Sequence, residues 1–263
     1  ADPTVRLIGI EAGGRGDGLG EHAATIVHGY DRRVQHEQIR SLARPGSLTG
    51  YWFGNYPEGL GDYSEPKMRS HPWFSLFNGY NTAWWFTASG FGTEREGSFN
   101  PDLTVNAAFD WSMQEVREIK RGPGKLLLNC QRRHDGIAVH YSAASDRAAY
   151  SHPFGKPHWS GAVHHARQAI GPATFAWDMI LEDLGLQYEY VCTADIEKGA
   201  LVQRGFKAFI MPVSQSLTKQ EAGEIKEFVR SGGIAIADLR PGVLNSDLNP
   251  SSPGLLDDLY AQM

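Results

Sequence analysis

Residues 206–238 read FKAFIMPVSQSLTKQEAGEIKEFVRSGGIAIAD, and this stretch predicts one strand–helix–strand unit. Its first residues, FKAFIMPV, form a mostly apolar run, which is typical of a strand buried on both faces. Thr218 and Glu221 have the spacing of a capping box, so a helix is expected to begin there. Gly232-Gly233 end the helix, and IAIAD is the next strand. Because strands joined through a helix usually pair in parallel, the stretch predicts an α/β fold.

The same alternation extends toward the N-terminus of this unit. Strands are expected over 136–141 and 188–192, and a helix over 174–184 lies between them. Four strands alternating with helices are typical of a doubly wound, flavodoxin-like domain, and we assign residues 136–263 to it. Since the chain reaches Met263 soon after the fourth strand, this domain is expected to be truncated.

Residues 1–121 show short apolar strands that run into glycine-rich polar loops. Three strands are expected, over 5–10, 48–53 and 82–86, with helices over 34–42 and 72–80. This order predicts part of a parallel (β/α) barrel, which keeps its chemistry in the loops that follow the strands. A complete barrel needs about 250 residues and eight strands. We therefore expect only a portion of one, with residues 122–135 as the linker to the second domain.

Composition excludes several classes of function. Lys and Arg contribute 25 of the 263 residues and Asp and Glu contribute 30, so the net charge of −5 argues against a nucleic-acid partner. No apolar stretch reaches the roughly 18 residues of a membrane span, so no membrane partner is expected. Cys130 and Cys192 form no C-x-x-C pair, which disfavours a zinc site. The sequence leaves the cellular compartment open.

Several motifs fail on their spacing. The glycines within 13–20 do not complete G-x-G-x-x-G, so no dinucleotide cofactor is expected. Six histidines lie between His134 and His165, but their spacings do not point to a helical ligand pair, and no metal is expected. Ser214 follows a predicted strand where an amidotransferase-like fold would hold a nucleophilic cysteine. Without that cysteine, Ser214 is interpreted as a helix-entry residue.

Carboxylates and aromatic residues gather in the first part of the chain. Thirteen of the 41 residues from Tyr51 to Phe91 are aromatic, against 11% for the whole chain, which fits either a core or a sugar-binding cleft. Glu11, Glu58 and Glu94 each come after a predicted strand. Hydrolysis of a glycosidic bond needs two facing carboxyl groups, and aromatic surroundings help to keep one protonated. Barrel loops are also rich in Glu for solubility, and that alternative stays open.

Two regions resemble a known family. SLFNGYNTAWWFTASGFGTEREG (75–97), followed by EVREI, resembles the last barrel strand and helix of the family 42 glycoside hydrolases, which are β-galactosidases. Four stretches resemble the trimerisation domain of that family: GIAVHYSAASDRAAY (136–150), AWDMILEDLGLQYEYV (176–191), FKAFIMPVSQSLT (206–218) and FVRSGGIAIADLRPGV (228–243). That domain is similar in fold to class I glutamine amidotransferases but lacks their nucleophile. The resemblance implies the C-terminal part of a (β/α)8 barrel followed by a flavodoxin-like domain, and a homotrimer or another homo-oligomer.

The resemblance also implies an activity and residue roles. It implies retaining hydrolysis of a β-galactoside-like bond, with a carbohydrate as substrate and without a cofactor. The family's substrate-binding F-G-x-E matches Phe91-Gly92-Thr93-Glu94, although the family's histidine three residues later is Gly97 here. The family nucleophile ends the seventh barrel strand, which resembles LTGYWFGNYPEG; residues 52–55 contain no carboxylate, and Glu58 is the nearest.

Glu58 is therefore predicted as the catalytic nucleophile. Glu94, Trp84 and Trp85 are predicted sugar contacts, and Glu11, which is taken to end the sixth barrel strand, is expected to line the site. The general acid, on the fourth strand in the family, is expected to precede Ala1. Two alternatives remain: a non-catalytic carbohydrate-binding or oligomerisation module, and an amidotransferase-like enzyme with its chemistry near Ser214.

Overall fold

The computed structural model of the chain describes residues 9–12, 26–29, 33–43, 47–54, 65–86, 98–151 and 173–260. These residues divide into two compact units, one within 9–132 and the other within 133–260. Each unit contains a four-stranded parallel sheet with helices between its strands, so the chain has an α/β fold.

The sheet of the first unit has its strands in sequence order, β1-β2-β3-β4. The strands are β1 (Gly9–Ala12), β2 (Ile26–Gly29), β3 (Leu48–Gly54) and β4 (Thr82–Phe86). The helices are α1 (Arg33–Leu42), α2 (Glu65–Phe77), α3 (Ala107–Lys120) and α4 (Pro123–Leu128). Because each strand pairs in parallel with the next one along the chain, the sheet has the arrangement of consecutive strands in a (β/α) barrel.

The structure corrects two expectations for this unit. β2 was not predicted, because IVHG is too short to show a periodicity of its own. Helix α2 begins at Glu65 rather than near Pro72, and Glu65 accepts a hydrogen bond from Arg69 one turn later (Nε–Oε1, 2.8 Å). Pro72 lies buried inside the helix, although proline favours the first turn. The segment 122–135 contains helix α4, and its role as a linker stays a prediction.

The main sheet of the second unit has the order β6-β5-β7-β9, and all of its strands are parallel. Its strands are β5 (Ile137–Tyr141), β6 (Tyr188–Cys192), β7 (Ala208–Met211) and β9 (Ile234–Ala237). A separate parallel pair consists of β8 (Ser216–Leu217) and β10 (Leu244–Asn245). The helices are α5 (Ala143–Ser151), α6 (173–183), α7 (Thr193–Ile196), α8 (Ala200–Gln203), α9 (Lys219–Arg230) and α10 (Asp257–Tyr260).

The predicted capping box of α9 is confirmed. The Thr218 hydroxyl accepts from the backbone N–H of Glu221, and the Glu221 carboxylate accepts from the backbone N–H of Thr218, both at 3.0 Å. Ala222, Ile225 and Phe228 are buried in the core on one face of the sheet. Val191 and Phe209 reach this core from the strands, so α9 anchors that side of the unit.

The turn after α9 gives a matched pair of predictions. A Cβ on Gly233 would lie 2.3–2.5 Å from three carbons of the Phe228 ring, which is 2% exposed and cannot move away freely. We expect Gly233→Ala to lower the free energy of unfolding by about 1–3 kcal/mol. Gly223, inside α9, has open space at its Cβ position, so Gly223→Ala should raise the free energy of unfolding by about 0.5–1 kcal/mol. Urea denaturation of both variants checks this; equal effects would contradict the packing argument.

Candidate functional site

Strands β3 and β4 bring together the starting points of two predicted site loops. Gly54 at the end of β3 is the register partner of Phe86 at the end of β4. Glu58 follows Gly54 within 55–64 and Glu94 follows Phe86 within 87–97, and both segments lie outside the described residues. The roles of Glu58 and Glu94 therefore stay predictions. The strand ends that precede them, Gly54 and Phe86, are neighbours at the carboxyl edge of the sheet, where a barrel keeps its chemistry.

Glu11 has a different place from the one expected. It is the third residue of β1 rather than the residue directly after a strand, and it pairs with His28 of β2. The additional strand β2 lies between β1 and β3. Glu11 is thus separated from β3 by one strand. The structure describes only its backbone, so its role as a lining residue stays a prediction.

Trp85 packs toward the helices. Its ring meets Phe109 of α3 edge-on, with ring centroids 5.5 Å apart and an interplanar angle of 77°. Phe109 also contacts Phe99, at 6.0 Å between centroids. This placement favours a packing role for Trp85. It does not test the prediction that Trp85 contacts a sugar. For Trp84 the structure describes the backbone alone, opposite Trp52 in the sheet, so that prediction is likewise untested.

A polar cluster that the sequence did not reveal lies at the carboxyl ends of β5 and β7. His140 Nδ1 is 2.8 Å from the Ser214 hydroxyl, and His140 Nε2 is 2.9 Å from Glu221 Oε1. The Thr193 hydroxyl also donates to Oε1 of Glu221, at 3.1 Å. The side chains of His140, Ser214 and Glu221, which we call the His140 cluster, are all buried. The Glu221 carboxylate thus caps α9 and also holds the imidazole.

The cluster contains the residue types of a catalytic triad: a serine as nucleophile, a histidine as base and a carboxylate that orients the histidine. Its chemistry is nevertheless blocked, because Ser214 is 0% exposed and no substrate carbonyl can reach its oxygen. Neighbouring backbone donors are also occupied: the N–H of Gln215 donates to the Val213 carbonyl and that of Val213 to the Asp238 carboxylate, both at 2.8 Å. A hydrolytic serine needs free donors for the oxyanion. The cluster therefore has a packing role. The prediction that Ser214 is a helix-entry residue is wrong, because β8 (Ser216–Leu217) follows it and Thr218 is the N-cap of α9.

Two of the six histidines between 134 and 165 are described, and both have structural partners. His134 Nδ1 accepts from the backbone N–H of Gly136 at 3.0 Å, and its ring packs on Phe206. His140 belongs to the cluster above. Across the described part of the chain, no group of three His, Cys, Asp or Glu side chains could hold a metal ion. Within that same part, no helix combines the length and apolarity that crossing a bilayer requires.

Solved structures with a similar fold include several β-galactosidases. Gan42B, a GH42 β-galactosidase from G. stearothermophilus, has a TM-score of 0.62 at 13% identity, over 89% of this chain and 36% of that one. The enzyme from Rahnella sp. R3 has a TM-score of 0.59 at 14% identity, over 89% and 36% of the two chains. The enzyme from Bacillus circulans sp. alkalophilus has 0.56 at 12%, over 89% and 38%.

The chain spans just over a third of the length of these three enzymes. No protein-family model and no curated relative matches the sequence. Identities of 12–14% establish a common fold and leave activity open. From its two parallel α/β units and these neighbours, we conclude that the chain has a glycoside hydrolase-like fold, similar to that of the GH42 β-galactosidases.

Proposed function

We propose that this chain is the C-terminal part of a family 42 type glycoside hydrolase that cleaves a β-galactoside-like bond with retention of configuration. The observation that carries the proposal is the pairing of β3 with β4, whose ends at Gly54 and Phe86 are register partners. Neighbouring strands lie about 4.8 Å apart, so loops leaving these ends start within the width of one sugar ring. Similarity to the fold of GH42 enzymes supports the same assignment.

In this proposal the two loops supply a nucleophile and a sugar ligand. Glu58 attacks the anomeric carbon and displaces the leaving group, which forms a covalent glycosyl-enzyme that water then hydrolyses. Glu94 and Trp84 bind the sugar and Glu11 lines the site, whereas Trp85 packs on Phe109. We take the described strands as the fifth to the eighth of the barrel, and the general acid of the fourth strand is then proposed to precede them in the sequence.

For the second unit, we propose a flavodoxin-like assembly domain that forms a homotrimer or another homo-oligomer. The strand order β6-β5-β7-β9 supports the flavodoxin-like description, in which ligands bind at the carboxyl ends where the order reverses. Here that position is filled by the buried cluster of His140, Ser214 and Glu221. An amidotransferase-like activity is disfavoured for the same reason. Assembly is the remaining role that the resemblance offers.

The alternative is a non-catalytic carbohydrate-binding or oligomerisation module. One observation favours it: residues 52–55, at the end of β3, contain no carboxylate, so the nucleophile must come from farther along the loop. Such a module would bind sugars or assemble without cleaving a glycosidic bond.

Turnover of an activated substrate separates the two candidates. Dinitrophenyl β-galactoside suits the test, because its leaving group departs without protonation and the first step, formation of the glycosyl-enzyme, does not need the general acid. We expect the chain to release dinitrophenolate above the rate of the uncatalysed reaction, with β-galactose as the first product by proton NMR. Light scattering on the same sample should show a trimer or another oligomer. A folded oligomer that binds galactosides without any turnover would favour the assembly module instead.

A further inference from the structure

Asp178 is a buried carboxyl group that has no role in the proposals made so far. Asp178, in the middle of α6, is 1% exposed, and its Oδ1 accepts a hydrogen bond of 2.7 Å from the hydroxyl of Tyr190 on β6. Its other oxygen, Oδ2, has no hydrogen-bond partner among the described residues. A buried polar atom without a partner is costly, and a buried charge more so. Asp178 is therefore better accommodated as a neutral acid than as a carboxylate.

The surroundings of Asp178 form the contact between α6 and the sheet. Tyr188 and Tyr190 are on the same face of β6, both buried, with ring centroids 6.0 Å apart. The titratable groups that act on Asp178 are these two tyrosines and Glu182, one turn farther along α6. Leu181, 4% exposed, is the other deeply buried side chain in this part of the helix. A change of charge at Asp178 thus acts directly on the docking of α6.

We propose that Asp178 is a proton-dependent latch: its protonated carboxyl keeps α6 docked on β6, and loss of the proton loosens the helix. The latch consists of Asp178, Tyr188 and Tyr190. It is independent of the proposed glycoside hydrolysis, because none of its members is a candidate for the sugar site.

The direction of the pH effect follows from the carboxyl group's environment. Burial raises the pKa of Asp178 from 3.8 to about 7; hydrogen bonds from Tyr190 and Tyr188 lower it, and the neighbouring Glu182 raises it. With α6 undocked, Asp178 is hydrated and returns toward its usual pKa. The docked helix therefore holds a proton that the undocked helix releases, so docking is favoured at low pH. That advantage is lost as the pH rises from about 4 to about 7, and above pH 7 no further loss occurs.

Hydrogen exchange of the α6 amides tests the latch in the full chain. After correction for intrinsic exchange rates, protection factors should fall roughly tenfold per pH unit between pH 5 and 7, and then level off. Asp178→Asn keeps the shape of the neutral carboxyl and should make the protection independent of pH. Asp183→Asn, which removes an exposed carboxylate from the same helix, should retain the wild-type dependence.

Two results would overturn the latch. One is a wild-type protection profile that stays flat over this pH range or changes equally in Asp178→Asn. The other comes from the wild-type protein alone, so it holds even if the variant does not fold: the carboxyl ¹³C resonance of Asp178 should titrate near pH 7. A midpoint near 4 would mean that Asp178 is ionised while α6 is docked, and the proposal would fail.

Discussion

Glu58→Gln is expected to lower kcat for dinitrophenyl β-galactoside by roughly 10³-fold or more. The amide cannot form the glycosyl-enzyme ester, so the reaction loses its covalent path. The side chain keeps its size, and we expect galactoside binding to persist. Steady-state kinetics on the full chain, together with calorimetric titration with galactose, measure the two quantities separately. An unchanged kcat would show that another group is the nucleophile.

A small external nucleophile identifies the role of Glu58 more sharply. In Glu58→Ala, azide should enter the vacated space and attack the anomeric carbon from the face that the carboxylate used. The carbon–nitrogen bond forms as the bond to dinitrophenolate breaks, so the product is an α-galactosyl azide with inverted configuration. A β-galactosyl azide would instead identify Glu58 as the acid–base residue. Neither product would be expected if Glu58 lay outside the site.

Glu65→Gln is the matched control for Glu58. Glu65 begins α2, its side chain is 48% exposed, and it pairs with Arg69 at the surface. Surface ion pairs of this kind contribute about 0–1 kcal/mol, so folding and turnover should be nearly unchanged. A comparable loss of kcat in this variant would show that the effect of Glu58→Gln is not specific to the site.

Glu221→Ala is expected to lower the free energy of unfolding by about 3–5 kcal/mol. Its carboxylate accepts from the imidazole of His140, the hydroxyl of Thr193 and the backbone N–H of Thr218, at 2.9, 3.1 and 3.0 Å. Truncation leaves one buried and two part-buried donors without this acceptor and removes the capping box of α9. Urea denaturation at neutral pH measures the loss.

Two further variants distinguish the cluster from a general effect of charge. Glu221→Gln retains a carbonyl oxygen that can accept from His140, so we expect a smaller loss of about 1–2 kcal/mol. Glu227→Gln removes a carboxylate from the exposed side of the same helix, where it pairs with Arg230, and should change stability by less than about 0.5 kcal/mol. Equal losses in all three variants would contradict a specific role for the buried cluster.

Local patterns in the sequence predicted much of the fold. The strand over 48–53 and the strand over 82–86 were found within a residue, since their apolar runs end at glycine or polar loops. The capping box of α9 was found because its two members are three residues apart. Periodicity and caps act over a few residues, which is why they are visible without a structure.

The cluster around His140 could not be predicted in the same way. His140 and Glu221 are 81 positions apart, and their contact depends on which strands become neighbours in the sheet. The one signal for this cluster in the sequence was that Ser214 follows a predicted strand near the point where the strand order reverses. We interpreted that position as a helix entry, and nothing in it indicated a contact with a histidine. Trp85 is a similar case: composition placed it among aromatic residues, but its partner Phe109 follows from the packing of α3.

The central place of β5 in its sheet has a consequence for the order of folding. Ile137 pairs with Tyr188, 51 residues later, and with Ala208, 71 residues later. Ala208 and Ile234, which join β7 to β9, are only 26 residues apart. Closing a longer loop costs more chain entropy, and distant contacts slow folding. We therefore expect β7, α9 and β9 to associate early, and the insertion of β5 to limit the rate at which the second unit folds.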